Sequence, residues 1–355
     1  MQTRCCVALT FMSFIEQAMA QPVLFVILAL VIGVTAVSGA TDAPNAISTV
    51  VSTRCLKPGV AIGLAAVFNF VGLVGMTYIS TAVAKTMFGM VDFSGDTQSA
   101  LLALMAAMIG AILWGCICWV FGIPCSKSHS LIAGITGGAI ALNGLAGVIP
   151  SEWVKVIYGM VFSLVAGFIL GWIFTRVIER AFAAVNRQVA NSAFVVIQDI
   201  CAVALSFLHG AQDGQKFMSI AMLGVALSFG SSTPDSSGSP LWLMIVCSAA
   251  ISLGTIVGGK RIIKSVGMDM VKLEKYQGVA ANFSTTFTLL FASLTGMPVS
   301  TSHCNTSAIM GVGASKNIKR VNWGIAKNML LAWVITFPAC GIIGFVLAKL
   351  FMLLA

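Results

Sequence analysis

Long apolar runs separated by short polar segments make up most of this chain. They cover residues 22–51, 60–84, 101–121, 153–174, 194–229, 241–257, 278–294 and 329–351. Most are near or beyond the roughly 20 residues a helix needs to cross a bilayer. Two further apolar pieces, 131–142 and 308–313, are too short to cross easily. The runs lack the alternation in segments of about 10 residues that marks a membrane barrel. The pattern predicts an all-α polytopic membrane protein.

The polar residues inside these runs carry most of the information. Gly39-Ala40-Thr41-Asp42-Ala43-Pro44-Asn45-Ala46 lies in the middle of the first run. An aspartate, an asparagine and a proline at mid-membrane depth are costly, and such groups face protein or a water-filled cavity. Glycine and proline there predict a broken helix. The Gly-Ala-x-Asp core recurs in the second half of the chain as Gly210-Ala211-Gln212-Asp213-Gly214-Gln215-Lys216, which predicts a second interruption within 194–229. Interrupted segments at matching places in two halves point to a transporter's binding site.

A second pair of motifs follows the same plan. Pro124-x-Ser-x-Ser-His129 in the first half is matched by Pro298-x-Ser-x-Ser-His303 in the second. The separation of Asp42 from His129 is nearly that of Asp213 from His303. Two motifs repeated in one order at nearly one offset indicate internal duplication. Each Pro-Ser-His stretch is expected at the tip of a re-entrant hairpin whose return arm is one of the short apolar pieces.

Charge then orients the halves. The basic segments 54–57, 176–191, 258–275 and 315–328 are assigned to the cytoplasmic side, and 85–98 and 230–240 to the outside. Each element of the first half then runs opposite to its partner in the second. The fold expected is an inverted-topology repeat with broken transmembrane helices and two re-entrant hairpins, and both termini outside, in the plasma (inner) membrane. Residues 1–21 form an N-terminal segment, interfacial or signal-like, with Arg4 and Ala18-Met19-Ala20. The first repeat with its following span covers 22–175, a basic connector 176–193, and the second repeat with the final span 194–355.

Composition agrees. The 355 residues are 58% hydrophobic and 9% charged, against about 25% charged in a soluble domain. The net charge of +9 is spread over short loops between spans, so no nucleic-acid partner is implied. The ten cysteines lack the paired spacing of a zinc or redox site and are read as buried, reduced thiols.

Two broken helices and two hairpin tips converging near the midplane would make an anion site. Pro44 suits the first position of a resumed helix. Ser126, Ser128, Ser300, Thr301 and Ser302 suit helix caps, where hydroxyls stand beside free N–H groups. Asp42 and Asp213 conflict with a bound anion unless each binds a cation such as Na⁺ or carries a proton. Anion binding then requires cation binding, which is symport. His129 and His303 are read as structural hydrogen-bonding groups. Asn69 and Asn282 are read as links between helices. Lys127 and Lys216 remain open between contacting the anion and, for Lys216, pairing with Asp213.

At these residues the chain resembles the PiT family of inorganic phosphate transporters. That family carries a duplicated Gly-Ala-Asn-Asp-x-x-Asn-Ala and a Pro-x-Ser-[ST]-[ST]-His hairpin in each half. The resemblance covers roughly 22–351, including 65–72. It implies phosphate uptake with Na⁺ or H⁺ as coupling ion, no other cofactor, an inverted-repeat fold in a lipid bilayer and a homodimer. It assigns phosphate contacts to Ser126, Ser128, Ser300, Thr301 and Ser302, and the polar residues around Asp213, namely Gln212, Gln215 and Lys216, are added as candidates. It assigns cation or proton coupling to Asp42, Asn45 and Asp213, with Asp42 and Asp213 as the possible Na⁺ carboxylates, and Thr41 beside Asp42 is added as a candidate. Thr41 and Gln212 replace the first asparagine of each motif, and Lys216 stands where the second motif would end in asparagine. A fixed cation there would replace one bound Na⁺.

Two other functions compete. Another tetrahedral oxyanion such as sulfate fits the same residues. An intramembrane hydrolase built on Ser, His and Asp fits poorly, since the constellation is duplicated and catalytic triads are not.

Overall fold

The computed structural model describes residues 10–120, 126–231, 234, 239–268 and 273–355. Pro124 and Cys125 of the first hairpin motif, and most of 230–240, lie outside them. The described residues are helical, apart from turns and one isolated bridge between Val91 and Val148. Eight of the helical segments are long and apolar enough to cross a membrane.

In the first half, α1 (Phe11–Ala20) leads to α2 (Pro22–Thr41), and α3 (Ala43–Ser52) resumes after Asp42. Then come α4 (Pro58–Ile79), α5 (Ala82–Gly89), α6 (Thr97–Val120), α7 (Lys127–Asn143) and α8 (Pro150–Ala181). The second half holds α9 (Arg187–Ser228), α10 (Leu241–Met268), α11 (Lys275–Thr295), α12 (Thr301–Lys316) and α13 (Trp323–Leu354). The expected connector 176–193 is helix at both ends with a turn at 182–186.

One expectation is corrected. The helix breaks at the first motif but not at the second, where α9 runs unbroken through Gly210 to Lys216. Proline explains the difference. A proline lacks an N–H and conflicts with the carbonyl one turn back, so α2 stops before Pro44 and α3 restarts with it in the first turn. The matching position in the second copy is Gln215, which keeps its N–H, and the helix continues.

Lys85, expected in a loop, lies instead within α5. Residues 127–147 form one helical stretch, α7 plus a short 3-10 turn, long enough to rank among the eight. At α6, Asp96 accepts hydrogen bonds from the Ser99 amide and hydroxyl at 2.9 and 3.0 Å. These bonds to the ionised form hold its carboxyl below the usual range.

The two halves pack on one another reciprocally. α2 lies against α10 while α9 lies against α4, and α7 against α13 while α12 lies against α8. Glycines set the closest approaches. A methyl carbon built at Gly72 would lie 1.9 Å from the Phe207 carbonyl oxygen, and one at Gly254 would lie 1.9 Å from that of Ala36. One built at Gly311 would lie 2.0 Å from the Phe168 oxygen, and one at Gly137 would lie 2.1 Å from that of Gly341. In both sets the partners are duplicated positions, so the same backbone contact is made twice. Such close backbone packing suits a bilayer, where lipid is as apolar as leucine and burying more apolar surface gains little.

Candidate functional site

The site forms where α2, α3 and α9 meet the starts of α7 and α12. Asp42 occupies the gap between α2 and α3, and Asp213 lies midway along α9. Both are buried, at 6% and 1% exposure. The Ser38 hydroxyl joins them, 3.5 Å from Asp42 Oδ2 and 3.4 Å from Asp213 Oδ2. Asp42 Oδ1 accepts from Ser302 Oγ at 3.3 Å, and Asn45 Nδ2 donates to the same hydroxyl at 2.8 Å. Asp213 Oδ2 also accepts from Thr301 Oγ1 at 3.5 Å.

Ser126 and Ser300 cap α7 and α12, accepting from the backbone N–H of His129 and His303 at 3.4 and 3.3 Å. The two hydroxyls are themselves hydrogen-bonded at 2.9 Å. Two helix N-termini therefore face each other, each lined with hydroxyls and free N–H groups.

Lys216 has no exposed surface. Its ammonium donates to Asp213 Oδ1 and Ser128 Oγ at 2.8 Å each and to the Val299 carbonyl at 2.5 Å. A lysine has three N–H donors, and here all three serve protein oxygens. Of the two readings of Lys216, the structure makes the pairing with Asp213.

Thr41, Gln215 and Gln212 make their bonds elsewhere. Thr41 is half-buried, and its hydroxyl turns back to the Val37 carbonyl at 2.9 Å, away from the carboxylates. A threonine hydroxyl inside a helix readily bonds the carbonyl one turn back. Gln215 donates to the Ser80 carbonyl at 2.7 Å, beyond the end of α4. Gln212 donates to Ser293 Oγ at 2.9 Å and lies near the Met297 carbonyl at 3.5 Å, beside the second hairpin tip. Lys127 brings Nζ toward Gly115 of α6 and is near enough for its charge to act on the Asp42 carboxylate. Asn69 and Asn282 do link helices, Asn69 to Thr255 at 3.0 Å and Asn282 to Thr49 at 2.5 Å.

The histidines differ from expectation. His129 and His303 are buried edge to face with centroids 4.2 Å apart, and His303 stacks on Trp333 at 3.4 Å. Their ring nitrogens have no hydrogen-bond partner among the described residues. They pack as aromatic groups. His209, which the motifs do not include, enters the site instead. Its Nε2 is 3.3 Å from Asp213 Oδ2 and its Nδ1 2.9 Å from Asn69 Oδ1. His209 and Ser38 each precede their aspartate by four residues, one helical turn. Both are thus detectable by spacing from the aspartate rather than by motif. Asn305, also outside the motifs, donates to the Asn45 carbonyl at 3.0 Å.

A family model described as "Phosphate transporter family" matches residues 38–344, which include both aspartates and both helix caps. The chain belongs to the phosphate transporter family. A Bacillus subtilis protein named "Probable low-affinity inorganic phosphate transporter" is 39% identical over 87% of this chain and 91% of its own. A Rhizobium meliloti protein of the same name is 36% identical over 92% of this chain and 96% of its own. A solved structure titled "The sodium-dependent phosphate transporter" is similar in fold, with a TM-score of 0.85 over 94% of this chain and all of that one. At 22% identity it shows a shared fold.

Proposed function

We propose that this protein is a secondary symporter that takes up inorganic phosphate together with a proton or Na⁺, by alternating access between two inverted halves of a plasma-membrane carrier. The observation that carries the reading is the facing pair of helix N-termini, capped by Ser126 and Ser300, against the buried carboxylates Asp42 and Asp213. Helix N-termini and hydroxyls favour a small oxyanion. Neutral donors bind it without holding it too tightly to release. The carboxylates oppose it until a cation or proton offsets their charge. Family membership and the names of the relatives select phosphate among the oxyanions. The reciprocal helix pairing and the alternation of basic and non-basic loops support the inverted arrangement, with α6–α7 and α11–α12 as the two hairpins.

The test is uptake of labelled phosphate by proteoliposomes under pH and Na⁺ gradients imposed separately. Accumulation is expected under at least one of them, and no accumulation under either overturns the proposal. A second measurement addresses the anion site. Ser126→Ala and Ser300→Ala each remove a hydroxyl worth about 1 kcal/mol of hydrogen bonding, so the KM for phosphate should rise several-fold. The Ser→Thr variants keep hydroxyl and cap and should restore it. An unchanged KM in both alanine variants would place the anion elsewhere.

A further inference from the structure

The duplication sets Lys216 in the place that Asn45 holds in the first half, and Ser128 in the place that Ser302 holds in the second. Around Lys216 the protein supplies a carboxylate, a hydroxyl and a backbone carbonyl, all within 2.8 Å of one nitrogen. Such an all-oxygen set is what a small hard cation takes. The matching place in the first half has Asp42, Ser302 and the Asn45 amide, hydrogen-bonded in series at 3.3 and 2.8 Å, with no ammonium in those bonds. Two of the three oxygen positions, Asp42 and Ser302, thus recur in the first half around a neutral amide rather than an ammonium, with the Lys127 charge acting on Asp42. The residue matching Val299 is Cys125, outside the described residues.

We infer that Lys216 is a tethered coupling cation. Its ammonium holds the second-half oxygen cage permanently, so that only the Asp42 half takes up a mobile cation or proton in each cycle, and Lys216→Asn turns the cage into a binding site for a free monovalent cation of sodium size. The inference deepens the symport reading, because it fixes which half exchanges its charge with solution.

The geometry supports this over an ordinary buried ion pair. An ion pair needs only Asp213. Here the ammonium also draws in Ser128 from the start of α7 and the Val299 carbonyl from the second hairpin tip, so it ties α9 to both return arms. That is the position from which a bound cation would report to the anion site. The neighbouring Ser300, next in sequence to Val299, is the cap hydrogen-bonded to Ser126.

The test uses purified full-length protein in detergent without phosphate, so it stands independently of whether phosphate is the substrate. Thermal midpoints are measured in NaCl and in choline chloride at equal ionic strength for wild type, Lys216→Asn and Asp213→Asn/Lys216→Asn. The single variant is expected to gain an Na⁺-specific rise in midpoint beyond that of wild type. The double variant, whose cage has lost its charge, should lose that gain. If Lys216→Asn folds only when prepared in NaCl, that rescue is the same result in stronger form. A Na⁺ response in Lys216→Asn no larger than wild type overturns the proposal. So does a protein that fails to fold in either salt while the double variant folds.

Discussion

Asp213→Asn should destabilise the protein far more than Asp42→Asn, although the two aspartates are duplicates of each other. Asp213 neutralises an ammonium that has no exposed surface, at 2.8 Å. Removing one member of a buried ion pair leaves the other charged and uncompensated, at a cost of roughly 3–5 kcal/mol. Asp42 makes its hydrogen bonds with the Ser38 and Ser302 hydroxyls. These adapt to an amide, since a hydroxyl donates or accepts as required. In detergent, Asp213→Asn should therefore show a clearly lowered thermal midpoint or fail to purify as a single species. Asp42→Asn should keep a midpoint near wild type yet lose coupled phosphate uptake to background. Asp213→Asn/Lys216→Met removes both charges and should recover most of the stability, though not the transport. Equal midpoints for the two single variants would contradict the charge arrangement described above. Full uptake by Asp42→Asn would remove it from the coupling role.

That asymmetry is only partly legible in the sequence. The positions are readable because each costly residue lies in an apolar run, and a buried aspartate in a membrane stands out against any background. The register is readable because two motifs recur in one order at nearly one offset. The pairings are less accessible. Nothing in a one-dimensional pattern distinguishes a lysine aimed at an anion from one folded back on the aspartate of the preceding turn. Spacing of i, i+3 permits the second, and only the positions of Ser128 and Val299 decide it.

The continuity of α9 is hidden for a related reason. Gly210 and Gly214 suggest a break like that at Asp42. Glycine merely permits a break, whereas proline removes a helix hydrogen bond and favours one, though Pro338 is carried inside α13, and the second copy of the motif has no proline. The glycines have another use there. A methyl carbon at Gly210 would lie 2.1 Å from the Asn69 carbonyl oxygen, so glycine is needed for α4 to approach, with the helix intact. His209 escapes notice because it lies just outside the repeated motif. Thr41 draws too much because it lies just inside. In both cases helical geometry overrides linear adjacency: residues one turn from the aspartate share its face, and the residue next to it points elsewhere.

The close helix approaches make a second large effect predictable, in a place with no polar chemistry. Gly72→Ala adds a carbon that would stand 1.9 Å from the Phe207 carbonyl oxygen. The clash is with backbone, so no side-chain rotation relieves it, and α4 must move away from α9. Overpacking in a well-filled core costs about 1–3 kcal/mol, and more where the backbone must shift. The displacement also pulls on Asn69 one turn earlier, which holds His209 at 2.9 Å beside Asp213. Gly72→Ala should therefore lower both the thermal midpoint and phosphate uptake. Gly254→Ala makes the equivalent contact with Ala36 at 1.9 Å and should match it in stability loss. Gly33→Ala is the control, since nothing lies within 4 Å of its added carbon, and its midpoint should be unchanged or slightly raised. If Gly72→Ala and Gly33→Ala have the same midpoint, α4 and α9 do not pack at the distance seen here. If Gly72→Ala loses stability while Gly254→Ala does not, the two halves do not share the reciprocal packing that the duplicated contacts describe.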